Sequence, residues 1–220
     1  MLFDLLTLSD SNLPAGGYAF SNGLEAASHM GLLSSSEHLS AYLSTAIYNA
    51  AHGELPFIQS CYNNESLNLD DLLMTYDAML TTQTMAQASA VQGRNLIRIM
   101  NTLYPSDEMN QLRQTLIKNA LPAHHTIVYG TTFHVAGLAL LQTKQLFMYQ
   151  VLRDQVSSAV RLGIIGPMEA AQLQKQHHQT CEAAIHQTTD QPYTQATRNA
   201  PQIDITQSFH QYLYSRLFQS

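Results

Sequence analysis

This chain has no tryptophan, only two cysteines, and few charges: Asp, Glu, Lys and Arg together make up 12% of its 220 residues. Cys61 and Cys181 are far apart and form no Cys-x-x-Cys pair. That excludes a disulfide framework or a zinc knuckle and leaves two free thiols. The charged share is about half the roughly 25% usual in soluble proteins, and Gln, Asn, Ser and Thr fill the gap. Burying an amide or hydroxyl against a partner costs less than burying an ion, so such a surface suits a protein that works in complexes. Ten basic against sixteen acidic residues give a net charge of -6, with no basic run to offset a phosphate backbone, so nucleic acid is excluded as a partner. Met1-Leu2-Phe3-Asp4-Leu5 is broken by Asp4 and lacks a basic flank. It reads as the short first helix of a cytoplasmic protein, not as a signal peptide or membrane span. Gly16-Gly17 is not followed by Gly-Lys-Ser/Thr, and no His-Glu-x-x-His segment occurs. Phosphate-loop and zincin chemistry are therefore both missing.

What the sequence does have is helical periodicity. Ser34-Ser35-Ser36-Glu37 reads as a capping box between Ser34 and Glu37, opening a helix to about Ala51, after which Pro56 forces a kink or fresh start. Leu72, Leu73, Tyr76, Met79 and Leu80 recur at three- and four-residue spacing, as do Met109, Leu112, Leu116 and Ile117 after a Ser106 cap. A long helix is predicted from about Lys144 to Leu162 with Gly163 as its stop, and Gly166-Pro167 starts another running to about His186. Alternating β-branched runs and hairpin turns are absent. The expected architecture is all-α, a single bundle-like domain of roughly eight to ten helices over residues 1–189. Residues 190–220 form a linker and an apolar C-terminal tail, which must dock on its own domain or on a partner because chain ends otherwise fray.

The most distinctive segment is Leu13-Pro14-Ala15-Gly16-Gly17-Tyr18-Ala19-Phe20-Ser21-Asn22-Gly23-Leu24-Glu25. Pro14 stiffens the loop, Gly16 and Gly17 free it, Ser21 or Asn22 caps the helix that follows, and Glu25 suits the positive end of that helix. Arg94 and Arg161 each lie in mostly apolar helix, where a guanidinium requires acceptors, either inside the chain or on a partner. The ten histidines raise a metal reading, through His124-His125, with His134 nearby, or through His177-His178 with Cys181. Adjacent histidines on a helix point about 100° apart, so neither doublet shares a face, whereas His178 and Cys181 are three apart. Structural or solvated histidines account for all of them equally well. No catalytic constellation is visible.

Leu5-Leu6-Thr7-Leu8-Ser9-Asp10-Ser11-Asn12-Leu13-Pro14-Ala15-Gly16-Gly17-Tyr18, continued by Ser21-Asn22-Gly23-Leu24-Glu25, resembles the N-terminal signature of the urease accessory family UreF. Gln92-Gly93-Arg94-Asn95-Leu96, Val160-Arg161-Leu162 with Gly166, and Tyr214-Ser215-Arg216-Leu217-Phe218-Gln219-Ser220 resemble its later motifs, in the family's order. The chain departs from the pattern at Phe20, Gln87, Pro167 and Gln211. The resemblance implies a cytoplasmic, non-catalytic homodimer without a cofactor. Such a protein joins UreD (also called UreH), recruits and modulates the GTPase UreG, and so serves nickel insertion into apo-urease. It further implies that Tyr18, Arg216, Leu217 and Phe218 face UreD. Pro14, Gly16, Ser21, Gly23, Glu25, Arg94 and Arg161 are then motif residues of structure or interface, and Tyr149 is a candidate for the dimer seam. The competing reading is a stand-alone helical nickel-binding protein using His124/His125 or His178/Cys181.

Overall fold

The computed structural model describes residues 2–11, 13, 20–63, 68–118 and 121–218. Ten α-helices account for most of them: α1 (Leu2–Ser9), α2 (Leu24–His29), α3 (Ser36–Ser60), α4 (Leu69–Met79), α5 (Gln83–Leu103), α6 (Asp107–Lys118), α7 (His125–Val135), α8 (Leu140–Arg161), α9 (Pro167–Gln187) and α10 (Pro201–Phe209). No strand occurs among the described residues, as the periodicity predicts.

The helix at the centre is α7. Every residue from Thr126 to Phe133 is buried, so it has no polar face to turn to water and must be surrounded. α3 and α5 pack directly on it, and α8 and α9 complete the bundle around α3. Tyr129 and Phe133 stack with ring centroids 4.0 Å apart, and Phe57 meets Tyr76 edge-on at 5.0 Å. Offset and edge-on pairs of this kind add about 0.5–1.5 kcal/mol each beyond the area they bury. α5 crosses the start of α7 so closely that a Cβ on Gly93 would lie 1.9 Å from the Ala123 carbonyl oxygen. Only a residue without a side chain fits that crossing.

Three boundaries differ from the sequence expectation, each for a local reason. The cap of α3 is Ser35, whose hydroxyl accepts from the His38 N–H at 3.2 Å, while Ser34 instead meets the His38 ring. α8 starts at Leu140, four residues earlier than predicted, because the Gln142 side chain reaches back to accept from the Ala139 N–H at 3.3 Å. The third difference has long-range consequences. α3 runs straight through Pro56 to Ser60 instead of stopping near Ala51. A proline inside a helix has no N–H for the carbonyl four residues back, which here is His52. That carbonyl accepts instead from the Thr197 N–H at 3.1 Å. The vacancy left by Pro56 thus fastens the segment after α9 onto the middle of α3.

Replacing Gly93 with Ala should lower stability by about 1–3 kcal/mol, the usual cost of overpacking, because the obstacle is backbone and cannot swing aside. Urea unfolding of the purified variant checks this. A midpoint equal to that of the parent chain would mean that the α5–α7 crossing is looser than described.

Candidate functional site at the docked C-terminal tail

Three distant parts of the sequence meet at Glu25. The turn before α2 places it: Asn22 and Gly23 have φ of 48° and 90°, and Gly23 caps α2 in the left-handed region that suits glycine. A Cβ on Gly23 would lie 2.5 Å from the Thr206 hydroxyl and 3.0 Å from the Gln207 nitrogen, so α10 leans directly on this turn. Ser21 and not Asn22 supplies the side-chain acceptor, taking the Glu25 N–H at 3.4 Å. Gln155 and Gln207 both donate to the Asn22 carbonyl at 3.4 Å, which ties the turn to α8 and α10.

Glu25 is 2% exposed, and a carboxylate so buried must be met by donors. The described donors to its oxygens all come from the tail. His210 Nε2 donates at 2.7 Å, the Leu217 N–H at 2.6 Å and the Phe218 N–H at 3.3 Å. After α10 the chain makes a 3-10 turn at His210–Tyr212 and folds back so that residues 217 and 218 present their amides to the carboxylate. Phe218 is 5% exposed, and the Arg161 guanidinium carbon lies 4.0 Å from its ring centroid. A cation over an aromatic face in a partly desolvated place is worth about 1–2 kcal/mol. Ser21, Gly23, Glu25, Arg161 and Phe218 therefore form one constellation. Leu217 and Arg216 lie at its edge, exposed, beside Tyr214. Pro14, Gly16 and Tyr18 lie outside the described residues.

A second buried network stands next to the first. Glu54 accepts from the hydroxyls of Tyr76 and Thr126 and from Arg198 Nη1 at 3.2 Å. Arg198 in turn holds Asp204 Oδ1 through Nη2 at 2.7 Å and Nε at 3.2 Å. Burial and the adjacent Glu54 carboxylate drive the Tyr76 hydroxyl well above its ordinary value, so it stays a donor. Sequence reasoning placed Tyr76 only in an apolar stripe and missed Glu54, Thr126, Arg198 and Asp204, and His210 too. The available signal was Arg198, the only charge between Asp190 and Asp204, in a stretch taken for linker. A cavity of ≈ 210 Å³ separates the two networks, with Asn49, Glu54, Gln155, Arg198 and His210 in its wall.

The remaining predicted residues lie elsewhere. Arg94 meets no acceptor among the described residues and stands on the exposed stripe of α5, which also carries Gln87 and Val91. Tyr149 is 36% exposed on α8. His178 faces solvent while Cys181 is buried with its thiol toward the Met148 carbonyl, so the three-residue spacing does not make them a pair. His124 donates to Asp77 at 2.9 Å, and His125 packs against Tyr129 and Phe147. No group of three or more His, Cys, Asp or Glu side chains suited to a metal occurs among the described residues. Burial pushes the Cys61 and Cys181 thiols up to about 12 and about 11, away from the reactive thiolate. No helix among the described residues is long and apolar enough to cross a membrane.

The comparisons with known proteins agree with the motifs gathered at Glu25. The UreF family profile matches residues 33–178. Urease accessory protein F of Oryza sativa subsp. indica is 33% identical over 219 residues, 96% of this chain and 82% of the rice protein. The chain belongs to the UreF family. Urease accessory protein F of Arabidopsis thaliana is also 33% identical, over 96% of this chain and 89% of its own length. The bacterial urease accessory protein UreF of Paenarthrobacter aurescens is 23% identical over 98% of this chain and 96% of its own.

Two outcomes follow from these UreF-family networks. Glu25→Gln keeps the volume but turns an amide toward donors. Hydrogen exchange at Leu217 and Phe218 should accelerate at least tenfold, with a stability loss of about 2 kcal/mol, as expected for bonds to a charged acceptor. Unchanged protection of those two amides would show that the tail is held by something else. The second outcome concerns pH. Burial lowers His124 and His177 below the ordinary 6.5 and brings His125 down to about 4, while Asp154 alone among the described carboxyls is raised, also by burial. For a histidine depressed on folding, the unfolded chain binds the extra proton, so stability is complete above about 6.5 and is lost as pH falls toward 4. Asp154 contributes the opposite sign over part of this range, one group against three. Urea midpoints should thus drop between pH 7.5 and pH 5, and His125→Phe should flatten the slope. A midpoint that holds or rises at pH 5 would contradict this.

Proposed function

We propose that this chain acts in urease maturation as its UreF-family accessory component, a non-catalytic homodimer that joins UreD (UreH), recruits and modulates the GTPase UreG, and so serves nickel insertion into apo-urease. The observation that carries the reading is the tail constellation. Glu25 and Arg161 fix the returning backbone and Phe218 from inside, which leaves the side chains of Tyr214, Arg216 and Leu217 outside on an anchored segment. Ile205, Phe209 and Tyr212 on and after α10 extend this exposed surface. A recognition segment held in place before binding spares the entropy of ordering it in the complex, so more of its contact energy appears as affinity. Aromatic and arginine side chains on such a segment are the groups that carry interface energy most often. The function is then one of differential binding, favouring one geometry of the assembly and one state of the GTPase. Tyr149, on the exposed side of α8, is the proposed dimer seam.

The test separates docking of the tail from its use. Deleting the tail would strip Glu25 of its donors, so the informative variant is Tyr214→Ala/Arg216→Ala/Leu217→Ala, which keeps every backbone amide. Capture of UreD should fall at least tenfold, consistent with about 2 kcal/mol or more for a hot-spot truncation, and urease activation should fall with it. The Phe218 amide should keep its protection. Undiminished UreD capture by this variant rejects the tail as the UreD-facing surface. In light scattering, Tyr149→Asp should read as a monomer, and a dimer there rejects the seam.

A further inference from the structure

The hairpin of α5 and α6 concentrates positive charge in a chain whose net charge is -6. Arg94 and Arg98 are four residues apart on the exposed stripe of α5, a helix without a single Asp or Glu. The connection from Leu103 to Asp107 has only three residues, so α6 folds back antiparallel. At about 1.5 Å per residue, Arg98 and Arg113 each sit about 8–9 Å from the turn, and Arg94 and Lys118 about 14–17 Å from it. All four are exposed. α6 buries only Met109 and Leu116, so most of its surface is open. None of these four cations has a hydrogen bond or ion pair to a described residue. Three of the other arginines are engaged, Arg153 with Asp154, Arg198 with Glu54 and Asp204, and Arg161 over Phe218, while Arg216 is exposed on the tail. The acids of the hairpin, Asp107 and Glu108, lie at the turn end in the first turn of α6, where the helix dipole favours them.

Like charges four apart weaken a helix, so this row contributes nothing to the fold. Exposed Val91, three residues before Arg94 on the same stripe, and exposed Ile117, next to Lys118 in α6, supply apolar contact. We propose that the exposed stripe of α5 docks an acidic protein surface, with Arg94 and Arg98 taking carboxylates through their paired N–H groups and Arg113 and Lys118 on the neighbouring helix steering the approach. A mixture of arginine with aliphatic side chains is the composition of a protein interface. A nucleic-acid groove would need more cations than four on so acidic a chain, and aromatic platforms, which this face lacks.

The choice of proteins to test rests on the proposed function. Arg94→Glu/Arg98→Glu and, separately, Arg113→Glu/Lys118→Glu are compared with the parent chain for binding purified UreD, UreG and apo-urease at low and raised salt. Circular dichroism serves as the control for folding. Both reversals should weaken binding to the same one of the three about tenfold, with slower association and a smaller salt dependence. Arg94→Lys/Arg98→Lys, which keeps the charge but loses the paired N–H groups, should show a smaller loss than the reversal. Equal binding of all three proteins by parent and variants overturns this docking face and leaves the proposed function standing. A parent chain that binds none of them overturns both. Binding of duplex DNA or phosphatidylserine vesicles that the reversals abolish, while protein binding is untouched, also overturns it.

Discussion

Carboxylates buried in the first quarter of this chain have to be met by donors, and all of Glu25's described donors and the cation that meets Glu54 come from its last quarter. Glu25 is answered by His210 and the amides of Leu217 and Phe218, and Glu54 by Arg198 together with Tyr76 and Thr126. An unpaired buried charge costs several kcal/mol, so neither glutamate is tolerable until residues 198–218 have closed over it. This requirement turns a stretch without apolar periodicity into the fastening of the fold. Pro56 reinforces it by leaving the His52 carbonyl for Thr197, so that backbone, salt bridge and helix packing all hold the same segment down.

The same arrangement gives the tail its two sides. Inward, Phe218 lies under Arg161 and the backbone faces Glu25; outward, Tyr214, Arg216 and Leu217 stand clear of the body. Of the two readings of the tail, the structure describes docking on its own domain. Docking is what orients the exposed side chains. The surface is amide-rich and charge-poor, and several of the few charges are committed to buried networks. The α5–α6 hairpin carries four of the exposed cations.

Much of the fold was legible in advance because helices declare themselves locally. Periodic Leu and Met, the Ser106 cap, Gly163 and Pro167 mark ends and faces through interactions within a turn or two. The errors were also local. Ser35 displaced Ser34 as the cap, Gln142 reached back one turn, and Pro56 passed inside a helix because its neighbours bury the surrounding residues on every side. Of the site, the motif residues Ser21, Gly23, Glu25 and Arg161 were identifiable singly, through their resemblance to a family, but their roles were not. His210, Arg198, Glu54 and Asp204 were not identifiable at all.

The amino-acid sequence determined, then, that this would be an all-helical member of the UreF family with a loop, two arginines and an apolar tail worth attention. Only the tertiary structure decided that Glu25, Arg161 and Phe218 are one site, that His178 and Cys181 are not, and that Arg198 belongs to the core. The reason is distance along the chain. Helix signals depend on residues three or four apart, whereas a buried carboxylate and its donors are separated here by 22 to 193 positions, and no local pattern specifies which of them will meet.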